Sequence, residues 1–548
     1  MFIISQIVDI HNLIIYNVMS MNKRIPFVIL LATLLSGCSA SLSLKFVPFS
    51  DYQTPLETVR DYDDGNLYSK KEVTSVSSKF GPIKDVVDAN KHHKNGKVKN
   101  LFSSTGDRKL LVVPVYFTDS DTSTLDKKTV FIENAFFGET KRTEYDSVAG
   151  YYNKSSYGQL KITGEVAPWY NIGISSSDWT KISGNSSEAS SIIAEKAVDW
   201  IKENNLINDL SVYDTNQDDN IDGIYVIYDH PFGDGDSDSS KSIFWAYVHF
   251  TQKGENGFNN VAPYVNGYAW TSVNAITDAG EKNDNKSYTN YLIHETGHLL
   301  GLNDYYNTTG AKSFYQPTGL FDMMDYNIGD HSALSKYLLN WSSPLAVKNN
   351  TSFTYKLKAF STTGEFILVP SSTYQDSPFG EYLLIEYFVP TGLNKCNEQF
   401  EYVSNDRDVS IYRYPQHYGL KIYHVNAALG YYKIGGGNSK CLARLDDPDY
   451  ESKIGSENVG IDYVYTNSIN NEDAKDGLPV FYHLLESSGQ NTFIDGKPAN
   501  NDTLFSVGDD FGIKTFVDYK FSNGENVNFK LKVKALSSEY ATLEITKN

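Results

Sequence analysis

"LIHETGHLLGLND", running from Leu292 to Asp304, places two histidines four residues apart, His294 and His298, with Glu295 directly after the first and Asp304 ten residues beyond it. The apolar spacing predicts a helix that starts near Ser287 or Tyr288. Gly301 lies just past its last apolar turn, where a left-handed glycine commonly stops a helix. On a helix, positions i and i+4 differ by about 40° in azimuth and ~6 Å in height, so both imidazoles leave one face and can grip a single ion. Neutral imidazoles suit Zn²⁺, and a catalytic zinc needs a third protein ligand and an open fourth position. Gly301 lets the chain reverse, and Asp304 can return as that third ligand. Glu295 then stands beside the ion, placed to act on a water without being a ligand itself. The plain alternative is an amphipathic helix with incidental histidines. Gly301 and Asp304 at their fixed offsets make coincidence a poor explanation.

Outward from this stretch the chain reads as mixed α and β. Leu110 to Phe117, in "RKLLVVPVYFTD", is a buried strand. "SVAGYYNKSSYGQLKITGEVAPWY" is a helix end and then a strand, with turn residues Ser156 and Gly158 between them. "SSEASSIIAEKAVDWIKENN" is a helix with an apolar face, and "DGIYVIYDH" is a strand. "YVNGYAWTSVNA" reads as a further strand at a sheet edge, lining a cleft where extended backbone could pair with it. After Trp341 the texture changes: "FTYKLKAF", "EYLLIEYF", "YGLKIYHVN" and "NVNFKLKVKAL" are short strands separated by turns, the pattern of a sandwich-like β region.

"HETGHLLGLND" resembles the HExxHxxGxxD signature of metzincin-type zinc proteases, and more closely the immune inhibitor A family of bacterial secreted metalloproteases. "RKLLVVPVYFTD", "SVAGYYNKSSYGQLKITGEV", "FDMMDYNIGDHSALSKYLLNW", "EYLLIEYF" with "GLKIYHVN", and "FYHLLESSG" with "TLFSVGDDFG" extend the resemblance over approximately residues 108 to 515. It implies an α+β fold: a metzincin-like zinc protease catalytic domain over residues 106–345, followed by a mostly β region over 346–548. It implies zinc held by His294, His298 and Asp304, with Glu295 as general base, and polypeptides as substrates. A methionine turn is expected beneath the metal, with Met324 as its methionine and Met323 as the alternative. Tyr326, two residues after Met324, either assists the reaction oxyanion or packs. His331 is a rival oxyanion donor or a structural histidine.

"DTNQDDNIDG" sets oxygen side chains at Asp214, Asn216, Asp218, Asn220 and Asp222, the alternation of a calcium loop. Asp219 stands where such a loop usually has glycine, and Tyr225 where an EF-hand has glutamate, so an EF-hand is excluded. The pattern looks like the DxDxDGxxD calcium loop of the same family; a solvated acidic turn is the other reading.

A formal net charge of −19 argues against a nucleic-acid partner and suits hard cations. Hydrophobic content of 40% and charged content of 21% fit a soluble globular body. "MNKRIPFVILLATLLSGC" has a basic start and an apolar run of ~11 residues, the length of a signal-peptide core and too short for a membrane span. Its end, Leu35-Ser36-Gly37-Cys38, resembles the bacterial lipobox, which implies a lipidated Cys38 and a membrane anchor on the outer face of the cell. An ordinary signal peptide containing a cysteine is the alternative. Residues 1–37 are thus read as a signal peptide whose true start is Met19 or Met21, and 38–105 as a lipid-anchored tether or pro-segment. Three cysteines exclude a disulfide-dense scaffold; Cys396 and Cys441 form a disulfide or stay as two thiols. The expectation is a zinc metalloendopeptidase anchored at the bacterial surface. The rival from another class is a surface adhesin or glycan-binding protein with an idle protease fold.

Overall fold

A computed structural model describes residues 62–69, 101–183, 186–231, 244–277, 286–307, 315–374, 378–398, 401–404, 409–413, 415–434, 440–444, 461–465 and 480–548. Cys38, the signal segment 1–37 and the side chains of Cys396 and Cys441 lie outside the described residues.

The run "LLVVPV" forms the middle of strand Gly106–Tyr116, and its residues are buried on both faces. Leu110 and Val112 face one core, while Leu111, Val113 and Val115 face another. A strand so apolar on both sides belongs inside a parallel sheet covered by helices. That is its place: the order is Leu160–Val166, Gly106–Tyr116, Ile224–Asp229, Gly267–Ser272, Tyr247–Phe250. The first four run parallel, and Tyr247–Phe250 pairs antiparallel with Gly267–Ser272. Helix Ser186–Glu203 covers one face through Ile193, Ala197, Val198 and Ile201. Helices Leu125–Phe137, Val148–Ser155 and Asn290–Leu299 cover the other.

The strand at Gly267–Ser272 is not at the edge. It lies between two neighbours, every residue is buried, and Tyr268 and Trp270 enter one core while Ala269 enters the other. The edge is Tyr247–Phe250, half-buried throughout, and no strand pairs with its outer side among the described residues.

The C-terminal region is a sandwich. One antiparallel-dominated sheet has the order Leu67–Ser69, Leu345–Val347, Phe366–Pro370, Glu381–Phe388, Gly419–Asn426, Tyr482–Leu485. A second has Asp510–Phe511, Phe529–Leu536, Tyr540–Lys547, Thr351–Lys358. Alternation along the strands divides the first sheet's side chains. Ile367, Leu383, Ile385 and Ile422 pack on Leu531, Val533, Leu543 and Ile545 of the second sheet. Leu368, Leu384, Tyr423 and Leu484 face the other way, into the same core as helix Asn290–Leu299. The boundary read at 345/346 is therefore covalent only; the two regions share a core across it.

The stretch 38–105, read as a tether or pro-segment, contributes structure to this sheet. Leu67–Ser69 pairs antiparallel with Leu345–Val347, Leu67 is fully buried, and Asp63 forms an ion pair with Lys348 at 2.7 Å. Its polar surroundings concealed the strand, because Leu67 is its one fully buried apolar side chain.

Candidate metal centre

Helix Asn290–Leu299 starts two to three residues later than its sequence suggests, with Thr289 as N-cap. It is buried almost throughout, between the two halves of the molecule, and tyrosines hold it there. Tyr225 from strand Ile224–Asp229 donates to the Leu292 carbonyl at 2.6 Å, and Tyr152 from helix Val148–Ser155 donates to the Ile293 carbonyl at 2.6 Å. Gly301 has φ +99°, the left-handed conformation that reverses the chain, and Leu302 donates its amide back to the Gly297 carbonyl at 2.9 Å.

The reversal returns Asp304 to the histidines. Its Oδ1 lies 3.0 Å from His294 Nε2 and 3.2 Å from His298 Nε2. These three residues offer ligand atoms all within 4.8 Å of one another, the only such group of three His, Cys, Asp or Glu among the described residues. Zinc bonds of about 2.0–2.2 Å set neighbouring donors of a tetrahedron roughly 3.3–3.5 Å apart, so the two measured separations are within a few tenths of an ångström of a ligand edge. Two imidazoles and one carboxylate are also a donor set that zinc accepts. The residues fit the ion.

Both imidazoles are oriented from behind, as metal-bound histidines generally are. His294 Nδ1 sits 2.9 Å from the Met323 carbonyl, and His298 Nδ1 sits 2.8 Å from the Leu302 carbonyl. A carbonyl can only accept, so each Nδ1 carries the proton and each Nε2 is turned to Asp304. The charges are coupled. Burial lowers the His298 pKa, but the Asp304 carboxylate and Glu295 outweigh it and lift it to about 9. Burial raises Asp304, and the histidines overcome this and hold it far below the usual carboxylate range.

Glu295 is 6% exposed, and its Oε2 has no hydrogen-bond partner among the described residues. Burial pushes its pKa up; His298 and His294 oppose the rise and Asp304 adds to it. A buried carboxylate with an unused oxygen beside three ligand atoms can hold a proton transiently.

Helix Met323–Tyr326 forms the floor. Met324 is fully buried, and a Cβ added at Gly297 would come within 2.4 Å of its sulfur, so the methionine packs against the helix between the two histidines. Met323 contributes its carbonyl to His294. Tyr326 closes this short helix, half-buried against the shared core. His331 lies in the core behind the floor helix. It is 1% exposed, packs edge-on against Tyr151 and within 6.0 Å of Trp341, and its Nε2 lies 3.3 Å from the Tyr152 hydroxyl. Burial holds it neutral, with Lys336 and His294 acting in the same direction.

The loop at 214–222 is ordered by its own carboxylates. Asp214 accepts from the amides of Asp218 and Asp219, and Asp218 accepts from that of Asn220. Asp222 bonds to the amide and hydroxyl of Thr215 instead of turning to Asp214 and Asp218. Its three carboxylates thus share no common point as the histidine site does. Asn216 bonds to Asp218 and Asn220 to Asp218, so both amides also serve the loop itself.

Three contributors escaped the sequence reading. The Tyr305 amide donates to the Met324 carbonyl at 2.8 Å, which fixes the chain next to Asp304. Tyr306 is kept un-ionised by burial and by the neighbouring Asp304 and Glu295 carboxylates, so its hydroxyl belongs to the site. The Leu302 carbonyl orients His298. The doublet Tyr305-Tyr306 directly after Asp304 was the available signal for the first two; the backbone carbonyls left none.

No known protein family matches the chain, and no curated protein matches it.

Proposed function

We propose that this chain is a zinc metalloendopeptidase of the immune inhibitor A type, with a metzincin-like catalytic fold. The observation that carries the reading is the convergence of His294, His298 and Asp304 beside the unpartnered Oε2 of buried Glu295. A bound zinc ion would supply Lewis acidity to polarise the scissile carbonyl and acidify water at the site. Glu295 takes the proton of the attacking water and returns it to the leaving amine, a role that suits a carboxylate whose pKa burial has raised. Tyr306, beside Asp304, and Tyr326, at the end of the floor helix, are candidate hydroxyl donors to the developing oxyanion. An extended substrate would add to the half-buried edge strand Tyr247–Phe250, through main-chain bonds that tolerate many sequences.

The N-terminal signal and Cys38 support export and a lipid anchor at the outer face of a bacterial membrane; no helix among the described residues is long and apolar enough to cross one. Calcium at 214–222 is supported by residue pattern alone. Its test is a calcium-dependent rise in melting temperature that Asp214→Ala with Asp218→Ala abolishes.

Metal analysis of the purified chain and a casein-type assay with and without a chelator test the enzyme reading. Glu295→Gln is expected to keep zinc and lose cleavage by about 10²–10⁴-fold, the usual worth of a positioned base. His298→Ala is expected to lose both. Wild-type cleavage by Glu295→Gln would remove Glu295 from the mechanism, and a zinc-loaded wild type inert on every peptide would favour the adhesin reading.

A further inference from the structure

The short helix Met323–Tyr326 touches the machinery of all three zinc ligands. The Met323 carbonyl accepts from His294, the Met324 side chain packs at Gly297 between the histidines, and the Met324 carbonyl accepts the Tyr305 amide beside Asp304. With four residues it cannot hold itself together; an isolated turn of helix is unfavourable in water. Asp322 caps it, accepting the Met324 amide on Oδ1 at 2.9 Å, and is 3% exposed.

What surrounds Asp322 comes from the C-terminal sandwich. Glu386 and Lys421 are register partners on adjacent strands, Glu381–Phe388 and Gly419–Asn426. Both project toward the core shared with the metal helix and form an ion pair at 3.2 Å, 4% and 6% exposed. Glu386 Oε2 also accepts the Ala333 amide at 2.7 Å, at the start of helix Ala333–Leu338, which follows the floor in sequence. The Lys421 ammonium lies over the Phe321 ring at 4.0 Å, one residue before the cap. Burial disfavours the charged form of Asp322; hydrogen bonds from Met324 and Ser332 and the Lys421 ammonium favour it, and Glu386 opposes it.

We infer that Asp322, with the Glu386–Lys421 pair of the C-terminal sheet, is a positioning element of the metal site: the sandwich clamps the floor helix from below and so fixes the three ligands. The inference rests on the zinc reading for its functional consequence. A buried ion pair is a poor choice for stability alone, since apolar residues of similar size commonly do as well. Its use here is to fix where the segment from Phe321 to Ala333 sits. The C-terminal region is thereby part of the active site and not an appended module.

The experiment uses the full chain in three variants: Asp322→Ala, Asp322→Asn, and Glu386→Gln combined with Lys421→Met, which removes both charges of the pair. Zinc affinity is measured by chelator competition, and hydrogen exchange is followed in the metal-free protein. Asp322→Ala and the double variant are expected to bind zinc about 10–100-fold more weakly, the usual effect of losing an outer-sphere support. Asp322→Asn is expected to restore affinity, because asparagine caps as well as aspartate. In the metal-free Asp322→Ala and double variants, exchange should rise at the amides of Tyr305 and Met324 while strand Tyr540–Lys547 keeps its protection. A purely structural role predicts lower melting temperature with unchanged zinc affinity and unchanged exchange at those two amides, and that result overturns the inference. If the exchange response appears but the wild type binds no zinc, the clamp stands and the zinc reading fails, so the two failures are distinct.

Discussion

Gly297→Ala is a single-methyl perturbation aimed at the contact between the metal helix and its floor. The added Cβ would sit 2.4 Å from Met324 Sδ and 3.0 Å from its Cε. Ordinary contact begins near 3.4 Å, so the sulfur must retreat by about 1 Å in a packed core, where adding a methylene typically costs 1–3 kcal/mol. Alanine in place of glycine favours the helix by about 1 kcal/mol. Stability should therefore fall by no more than about 2 kcal/mol, and the protein should fold. The larger effect is expected on metal, because Met323 and Met324 also carry the carbonyls that hold His294 and Tyr305. Zinc affinity is expected to drop about 10–100-fold, measured by chelator competition. Met324→Ala alone creates a cavity, but in the Gly297→Ala background the new methyl partly fills it. The double variant should be more stable than the sum of the singles by about 0.5–3 kcal/mol, read from denaturant titrations as a double-mutant cycle. A more stable Gly297→Ala with wild-type zinc affinity and additive energetics would refute the packing argument.

Deleting residues 1–69 should lower the melting temperature relative to deleting 1–61, because burial of Leu67 alone is worth about 1.5–3 kcal/mol; equal melting would make the Leu67–Ser69 strand dispensable. In the metal-free protein, the His298 pKa is raised from 6.5 to about 9. A histidine raised in this way contributes stability that is complete below pH 6.5 and is lost as pH rises through about 9. Thermal melts of metal-stripped protein across that window should decline more steeply for wild type than for His298→Gln, and parallel curves would contradict the Asp304 pairing. Tyr306→Phe should reduce kcat by about 10²-fold or more with little change in KM if its hydroxyl meets the oxyanion, whereas an unchanged kcat would leave it a packing residue.

The cluster of His294, His298 and Asp304 was legible before any fold because its determinants are local. Helical geometry puts His294 and His298 on one face, and Gly301 reverses the chain, so the ligand atoms converge by short-range stereochemistry alone. The same locality made the strand at Gly106–Tyr116 and the helix at Ser186–Glu203 readable from their apolar patterns. The edge strand was misplaced because Gly267–Ser272, with Gly, Thr and Ser among its six residues, reads no more apolar than Tyr247–Phe250 although it is the internal strand. Which of them is internal depends on the partner on the far side, and that information lies some forty residues away, in Ile224–Asp229. The surroundings of His331 were hidden for the same reason: Tyr151, Tyr152 and Trp341 meet its ring only after the chain has folded.

Residue identity and spacing by themselves picked out His294, His298 and Asp304, which converge, with Glu295 beside them, and the division into a helix-bearing half and a β half. Tertiary structure alone decided what surrounds them: that the floor helix joins His294 to the Tyr305 amide, that Lys421 and Glu386 reach Phe321 and Ala333 on either side of it from the sandwich, and that Leu67 returns to the sheet from the N-terminal stretch. The physical reason is range. A motif within one helix and one turn is fixed by backbone geometry over a dozen residues, whereas the burial of Asp322 beside the Glu386–Lys421 pair, on strands 60 to 100 residues later, exists only once the chain has closed on itself.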